Sequence, residues 1–151
     1  MNGQNLTATQ KLNTNNGLLQ NTATCLEEDE YGRIWIGTSG GIQVYNGFDL
    51  ETFPQISGRV LGLKTIDSFV FCLALDAVYR FNSRSFKLKV FKFENLGFRN
   101  WKFRGDLIDI ISYEGSLVRT INLNLGETKK PSDNYVKTRE ILNFSYFGGR
   151  L

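Results

Sequence analysis

Residues 17–46 read Gly17-Leu18-Leu19-Gln20-Asn21-Thr22-Ala23-Thr24-Cys25-Leu26-Glu27-Glu28-Asp29-Glu30-Tyr31-Gly32-Arg33-Ile34-Trp35-Ile36-Gly37-Thr38-Ser39-Gly40-Gly41-Ile42-Gln43-Val44-Tyr45-Asn46. Three short runs, at 22–26, 33–38 and 42–45, are rich in β-branched and aromatic residues. Each is too short for a stable helix and suits a half-buried strand. Tyr31-Gly32 and Ser39-Gly40-Gly41 separate them, and Asn46-Gly47 closes the third. Such pairs are tight-turn signals, so the stretch predicts an antiparallel meander. A fourth, weaker strand is expected at 49–53.

The rhythm recurs outward from there. Residues 59–66, 69–75, 78–81 and 86–93 give four more expected strands, and Asn82-Ser83 stands 36 residues after Asn46-Gly47. Residues 107–112 and 117–125 follow, with Glu114-Gly115 as their turn. In the last of these, Leu117, Ile121, Leu123 and Leu125 are expected on one face, and Thr120, Asn122 and Asn124 on the other. A polar loop is expected at 129–134, and further strands at 135–137 and 141–147. No window has the period of a helix. Four strands every 36–40 residues is the spacing of β-propeller blades. The expected fold is all-β: antiparallel four-stranded meanders forming a partial or small β-propeller-like domain. Its blade-like repeats are expected at 22–53, 59–93 and 101–125. Residues 1–21 hold 6 Asn and a single charge, Lys11, and are expected to form an extended arm.

The motif of residues 17–46 resembles the two-component regulator propeller repeat. That family's pattern has a Gly-Leu start, an Asp-x-x-Gly turn, the string Leu-Trp-Ile-Gly-Thr, a Gly-Leu pair and a Tyr-Asp end. The matching positions are Gly17-Leu18, Asp29 to Gly32, Ile34 to Thr38, Gly41-Ile42 and Tyr45-Asn46. The later repeats keep the strand rhythm and lose the motif. The resemblance implies a blade in which Asp29 and Gly32 reverse the chain and Trp35 fills the space between blades. Ile36 then faces the other way, Gly37 allows close packing, Thr38 bonds within the turn, and Gly41 and Tyr45 complete the hairpin. It also implies a sensor domain that binds a ligand, a glycan stacked on Tyr or Trp. None of the motif's residues is a reactive group.

Composition bounds the chemistry. The 151 residues allow one domain, or two very small ones. Hydrophobic residues at 41% and charged residues at 22% predict a folded chain. The chain has no His. That excludes Ser-His-Asp and Cys-His catalysis and every His-containing metal site. The two cysteines, Cys25 and Cys72, are too few for a disulfide framework and read as buried thiols, although a single bridge between them is open. No catalytic residue, metal ligand or cofactor site is expected. The acidic run Glu27-Glu28-Asp29-Glu30 reads as a solvated hairpin end, because adjacent acids on a strand point to opposite faces.

Charge is uneven along the chain: residues 1–75 carry a net −3 and residues 76–151 a net +6. Residues 79–104 interleave eight cations with aromatics against one acid, Glu94. Three readings fit: a sheet with Phe inward and Lys outward, a protein interface, or, more weakly, a surface for single-stranded nucleic acid. Arg99, Asn100 and Trp101 are expected in a loop, and Arg99, Trp101, Lys102 and Arg104 are the candidate interface anchors. The N-terminus lacks a basic region followed by an apolar one, and no apolar run is long enough to span a membrane. The expected location is therefore cytoplasmic or within a virion. Function is read as a non-enzymatic subunit of a larger assembly, such as a phage tail component, with protein subunits completing open strand edges. The alternative is a ligand- or glycan-sensing propeller related to two-component sensor domains.

Overall fold

The structure is a computed structural model and describes residues 10–92, 98–112, 117–123 and 127–129. These residues form three antiparallel four-stranded sheets and one short 3-10 turn, Thr14–Asn16. The first sheet is β1 (Ala23–Glu28), β2 (Ile34–Thr38), β3 (Gly41–Tyr45) and β4 (Leu50–Thr52), in that order. The second is β5 (Val60–Ile66), β6 (Phe69–Ala74), β7 (Ala77–Asn82) and β8 (Leu88–Lys92). The third is β9 (Phe98–Arg104), β10 (Leu107–Ser112), β11 (Leu117–Asn122) and β12 (Glu127–Lys129). The chain divides into two compact units between Lys92 and Phe93, so the first two sheets share one unit and the third stands in the other.

Alternation explains the first unit. Trp35 pairs with Val44 and Gly37 with Ile42 across β2 and β3, so all four share one face. On β6 and β7, Val70 pairs with Phe81 and Cys72 with Tyr79, which makes the facing surface of the second sheet. The two surfaces meet in one core of Trp35, Ile42, Val44, Val70, Cys72 and Phe81, joined by Phe53, Ile56, Val60 and Leu63. The Trp35 ring stacks on Phe53 at 5.3 Å and lies tilted against Phe81 at 5.0 Å. Offset and tilted pairs of this kind add to what area burial alone supplies.

The structure moves several expected boundaries. Phe86, expected in a strand, sits in the β7–β8 turn with φ +55. That left-handed backbone is uncommon for a bulky residue. It aims the ring back onto Trp35 at 5.7 Å and Phe53 at 5.4 Å. The turn is held by Asn82, whose Oδ1 accepts from the Arg84 and Ser85 amides at 3.1 and 2.9 Å. Residues 98–101, expected partly as a loop, belong to β9. Trp101 and Phe103 alternate with Lys102 and Arg104, a strand period that carries the stretch into the sheet. The third sheet thus begins before residue 101 and ends with β12, past residue 125 and into the expected polar loop. The strands expected at 135–137 and 141–147, and the Glu114-Gly115 turn, lie outside the described residues.

In the third sheet, Ile108, Ile110, Ile121 and Leu123 are fully buried. Trp101 and Phe103 pair with Ile110 and Ile108 on that same face. Lys102, Asp109 and Thr120 pair across the opposite face.

Residues 10–21 do not extend away as a free arm. Leu18 is buried, the Leu19 amide donates to Gln43 Oε1 at 2.8 Å, and Gln43 Nε2 donates to the Gly17 carbonyl at 2.8 Å. Asn13 caps the 3-10 turn by accepting from the Asn15 amide at 2.9 Å. The segment is therefore fastened to the first sheet itself, through a buried amide the sequence offered as an ordinary strand residue.

Candidate functional site

The turn between β1 and β2 is built around one carboxylate. Asp29 Oδ1 accepts from the Tyr31 and Arg33 amides at 2.9 and 3.1 Å. Oδ2 accepts from Arg33 Nε at 2.9 Å and Trp35 Nε1 at 2.8 Å, and Arg33 Nη2 stands 2.7 Å away. Gly32, at φ +73, closes the reversal by donating to the Asp29 carbonyl at 2.9 Å. Burial raises the cost of charge on Asp29, and the donors of Arg33, Trp35 and Tyr31 outweigh it, so its carboxyl is held below the usual range.

The same turn fastens the second sheet. Arg33 Nη2 also donates to the Ser83 carbonyl, and its guanidinium lies 4.6 Å from the centre of the Phe86 ring. Ser83, fully buried, donates through Oγ to Glu30 Oε1 at 2.6 Å. The Thr65 amide donates to Glu27 Oε1 at 2.7 Å, and Thr24 Oγ1 donates to the Val60 carbonyl at 2.7 Å. The reading of residues 27–30 as a solvated hairpin end is thus corrected. Three of the four acids take donors at or beside the junction between the first two sheets. Sequence reasoning missed this, and the signal that could have found it is Asp29 followed by Arg33 and Trp35, a cation and an N–H within one turn's reach.

Two further motif residues set the close approach. A Cβ on Gly37 would stand 2.5 Å from Cys25 Sγ and 2.7 Å from Val60 Cγ1, so the position admits no side chain without a shift. Thr38, fully buried, donates to the Gly41 carbonyl at 3.0 Å and accepts from the Gly40 amide at 3.1 Å. Gly41 has φ +137, and a Cβ there would meet the Ile56 carbonyl oxygen at 2.6 Å. Ile36 is buried on the face opposite Trp35, and the Tyr45 hydroxyl donates to Gln10 Oε1. The structure thus brings Asp29, Gly32, Trp35, Gly37, Thr38 and Gly41 together as scaffold.

The interface candidates fall elsewhere. Arg104 is exposed, but its guanidinium binds Asp109 Oδ2 at 3.0 Å, and Thr120 Oγ1 donates to Asp109 Oδ1 at 2.7 Å. This is a cross-strand ladder on one sheet face. Trp101 is half-buried and packs edge-on against Phe103 at 5.4 Å. Lys102 is exposed beside Asp109 in register. Arg99 belongs to β9, and its side chain lies outside the described ones.

The interleaved aromatics of the second sheet turn inward. Phe81 and Phe91 are buried, and Arg80 lies over the Phe69 ring at 4.6 Å and near Phe91 at 5.8 Å. That leaves no displayed row of rings for bases to stack on. Cys25 and Cys72 are free thiols. Burial pushes both up, and the proximity of Cys25 adds to the rise at Cys72. Among the described residues no three His, Cys, Asp or Glu side chains converge as metal ligands. Among them, too, no helix is long and apolar enough to cross a membrane.

Comparison with known proteins agrees with this geometry. The family model described as "Two component regulator propeller" matches residues 17–40. Two solved structures of the extracellular domain of BT4673 from B. thetaiotaomicron share the fold. One is described as a one component system, with a TM-score of 0.53 and 19% identity over 73% of this chain. The other is described as a hybrid two component system, with a TM-score of 0.54 and 19% identity over 74% of this chain. The chain covers 16% of the length of each of them. No curated protein matches the chain. The scaffold that Asp29, Trp35 and Gly37 build thus lies within residues 17–40, which match the two component regulator propeller model, and the described residues have a propeller-like β fold.

Proposed function

We infer that the chain serves as a non-enzymatic, ligand-sensing propeller module related to the input domains of two-component systems. One observation carries the reading: the Asp29–Arg33–Trp35 scaffold lies within the matched repeat, on a fold shared with extracellular domains of such systems. Asp29, Trp35 and Thr38 are engaged in packing and hydrogen bonds of the scaffold, so recognition falls to groups at the blade ends. Tyr31 and Phe48 are the exposed aromatics there, in the β1–β2 and β3–β4 turns. Arg33 lies 4.9 Å from the centre of the Tyr31 ring, which steadies it. A planar ring held in this way suits the apolar face of a sugar, with nearby polar groups fixing its orientation.

The test is a panel of neutral and acidic oligosaccharides against the purified chain, read by calorimetry. Binding by at least one member, weakened about tenfold or more in Tyr31→Ala at unchanged melting temperature, supports the reading. A flat panel counts against a glycan ligand. Binding that Tyr31→Ala leaves unchanged moves the site elsewhere. A second reading, a protein-binding subunit, is favoured by one feature: β4 and β8 each pair on one side only among the described residues. No finding speaks for a virion component.

A further inference from the structure

The outer corners of the first two sheets carry opposite charge. Beside β4, the corner of the first sheet holds Asp49 and Glu51, together with Arg33, whose charge is already paired with Asp29. Beside β8, the matching corner of the second is a groove of about 400 Å³ lined by Phe69, Arg80, Asn82, Ser85, Lys87 and Lys89. Phe86 is among the residues that line the first corner, a smaller hollow of about 260 Å³. Arg80, half-buried, is pinned over Phe69. Among the described residues no carboxylate comes within 4.0 Å of Arg80, Lys87 or Lys89, and no cation within that distance of Asp49 or Glu51.

The two corners border open strand edges. β4 and β8 are each last in their sheet, leaving a row of backbone donors and acceptors unpaired among the described residues. Lysines along an edge normally prevent pairing, because two copies of that edge repel. β8 cannot face β8 without Lys against Lys, and β4 cannot face β4 without acid against acid. Between these two edges, charge leaves one combination open. Asp49 stands just before β4 and Glu51 within it, and Lys87 stands just before β8 and Lys89 within it. The spacing of two is the same in both pairs, so acids can be set against lysines where the two strands begin.

The geometry points to a second copy of the chain as the occupant of this groove, its β4 laid against β8 with Asp49 and Glu51 facing Lys87, Lys89 and Arg80. The contact joins unlike surfaces, so it does not close on itself. Association proceeds head to tail and beyond the dimer. It is driven by exposed charge pairs over a short strand, so it is weak and salt-sensitive.

Two charge-exchanged chains test it. One carries Asp49→Lys and Glu51→Lys; the other carries Lys87→Glu and Lys89→Glu. All four positions are exposed, so both variants keep the fold, which their melting temperatures verify. The expected result is a parent whose mass by light scattering rises with concentration at low salt and returns to that of the monomer at about 0.5 M salt. Each variant alone stays monomeric, with association weakened about tenfold or more, and an equimolar mixture of the two associates again. A parent that remains monomeric at low salt and high concentration overturns the proposal, as do variants that associate as the parent does. A parent that stays monomeric but takes up a labelled peptide with Glu at alternate positions also overturns it, and gives the groove to a foreign acidic strand.

Discussion

Asp29 concentrates the stability of the first blade at one carboxylate. Oδ2 sits among donors from Arg33 and Trp35, while Oδ1 takes two backbone amides. Asn at this position keeps the volume but turns an NH₂ toward donors, or turns its oxygen there and leaves the amides unmet. Asp29→Asn is expected to cost about 2–4 kcal/mol, from lost charge-assisted bonds and donors left unpaired. Urea midpoints of the two chains give the difference. The pH dependence has a definite sign. The folded carboxyl lies below its ordinary value of 3.8, so its contribution is complete above about pH 4 and drains as pH falls through the lower folded value. The gap between parent and Asp29→Asn is expected to hold from about pH 7 to pH 5 and to narrow as pH falls below the ordinary carboxylate range. A gap that widens on acidification contradicts this account.

At the scale of elements, two contacts decide how closely the strands approach. Gly37 is where β2 passes Cys25 and Val60, with no room for a methyl group. Gly37→Ala is expected to destabilise by about 1–3 kcal/mol through overpacking. Adding Cys25→Ala removes the nearer clash and is expected to recover part of the loss, which thermal melts of the single and double variants resolve. The N-terminal segment makes the other contact. Removing residues 1–20 takes from Gln43 its Gly17 and Leu19 partners, leaves it Thr52 Oγ1, and uncovers the apolar surface that Leu18 buries, at an expected cost of about 1–3 kcal/mol. The sequence made much of this legible. The 36-residue spacing of Asn46 and Asn82 marked two blades, and Trp35 and Gly37 stood out as packing residues. What stayed hidden has a physical cause in each case. Phe86 takes a left-handed backbone that no strand pattern announces. Gln43 is polar yet fully engaged. Residues 98–101 hold Arg99 and Asn100 between two aromatics, and the strand period shows only when the run is read on through Arg104. Glu27 and Glu30 meet partners 35 or more positions away, Thr65 and Ser83, and only folding brings these together.

For the molecule as a whole, charge is the governing asymmetry. The acidic first half and basic second half give a chain of net +3 that can attract copies of itself despite that net charge. Added salt is therefore expected to reduce attraction between molecules rather than induce it. The second virial coefficient from static light scattering at neutral pH checks this. It should rise between about 0.02 and 0.3 M salt, as screening shortens the reach of the two patches. A coefficient that falls over that range points to net repulsion as the dominant force.

The fastening around Asp29 bears on how such chains grow. Its carboxylate, guanidinium and indole lie within seven consecutive residues, so a duplicated repeat arrives with its own clasp. The second blade has no such clasp. Its outer turn is tied instead through Ser83 to Glu30 and Arg33 of the first. A blade of the first kind carries its own fastening with it when it is copied. A blade of the second kind can shed its signature only while it keeps its neighbour, and becomes heritable only as half of a pair.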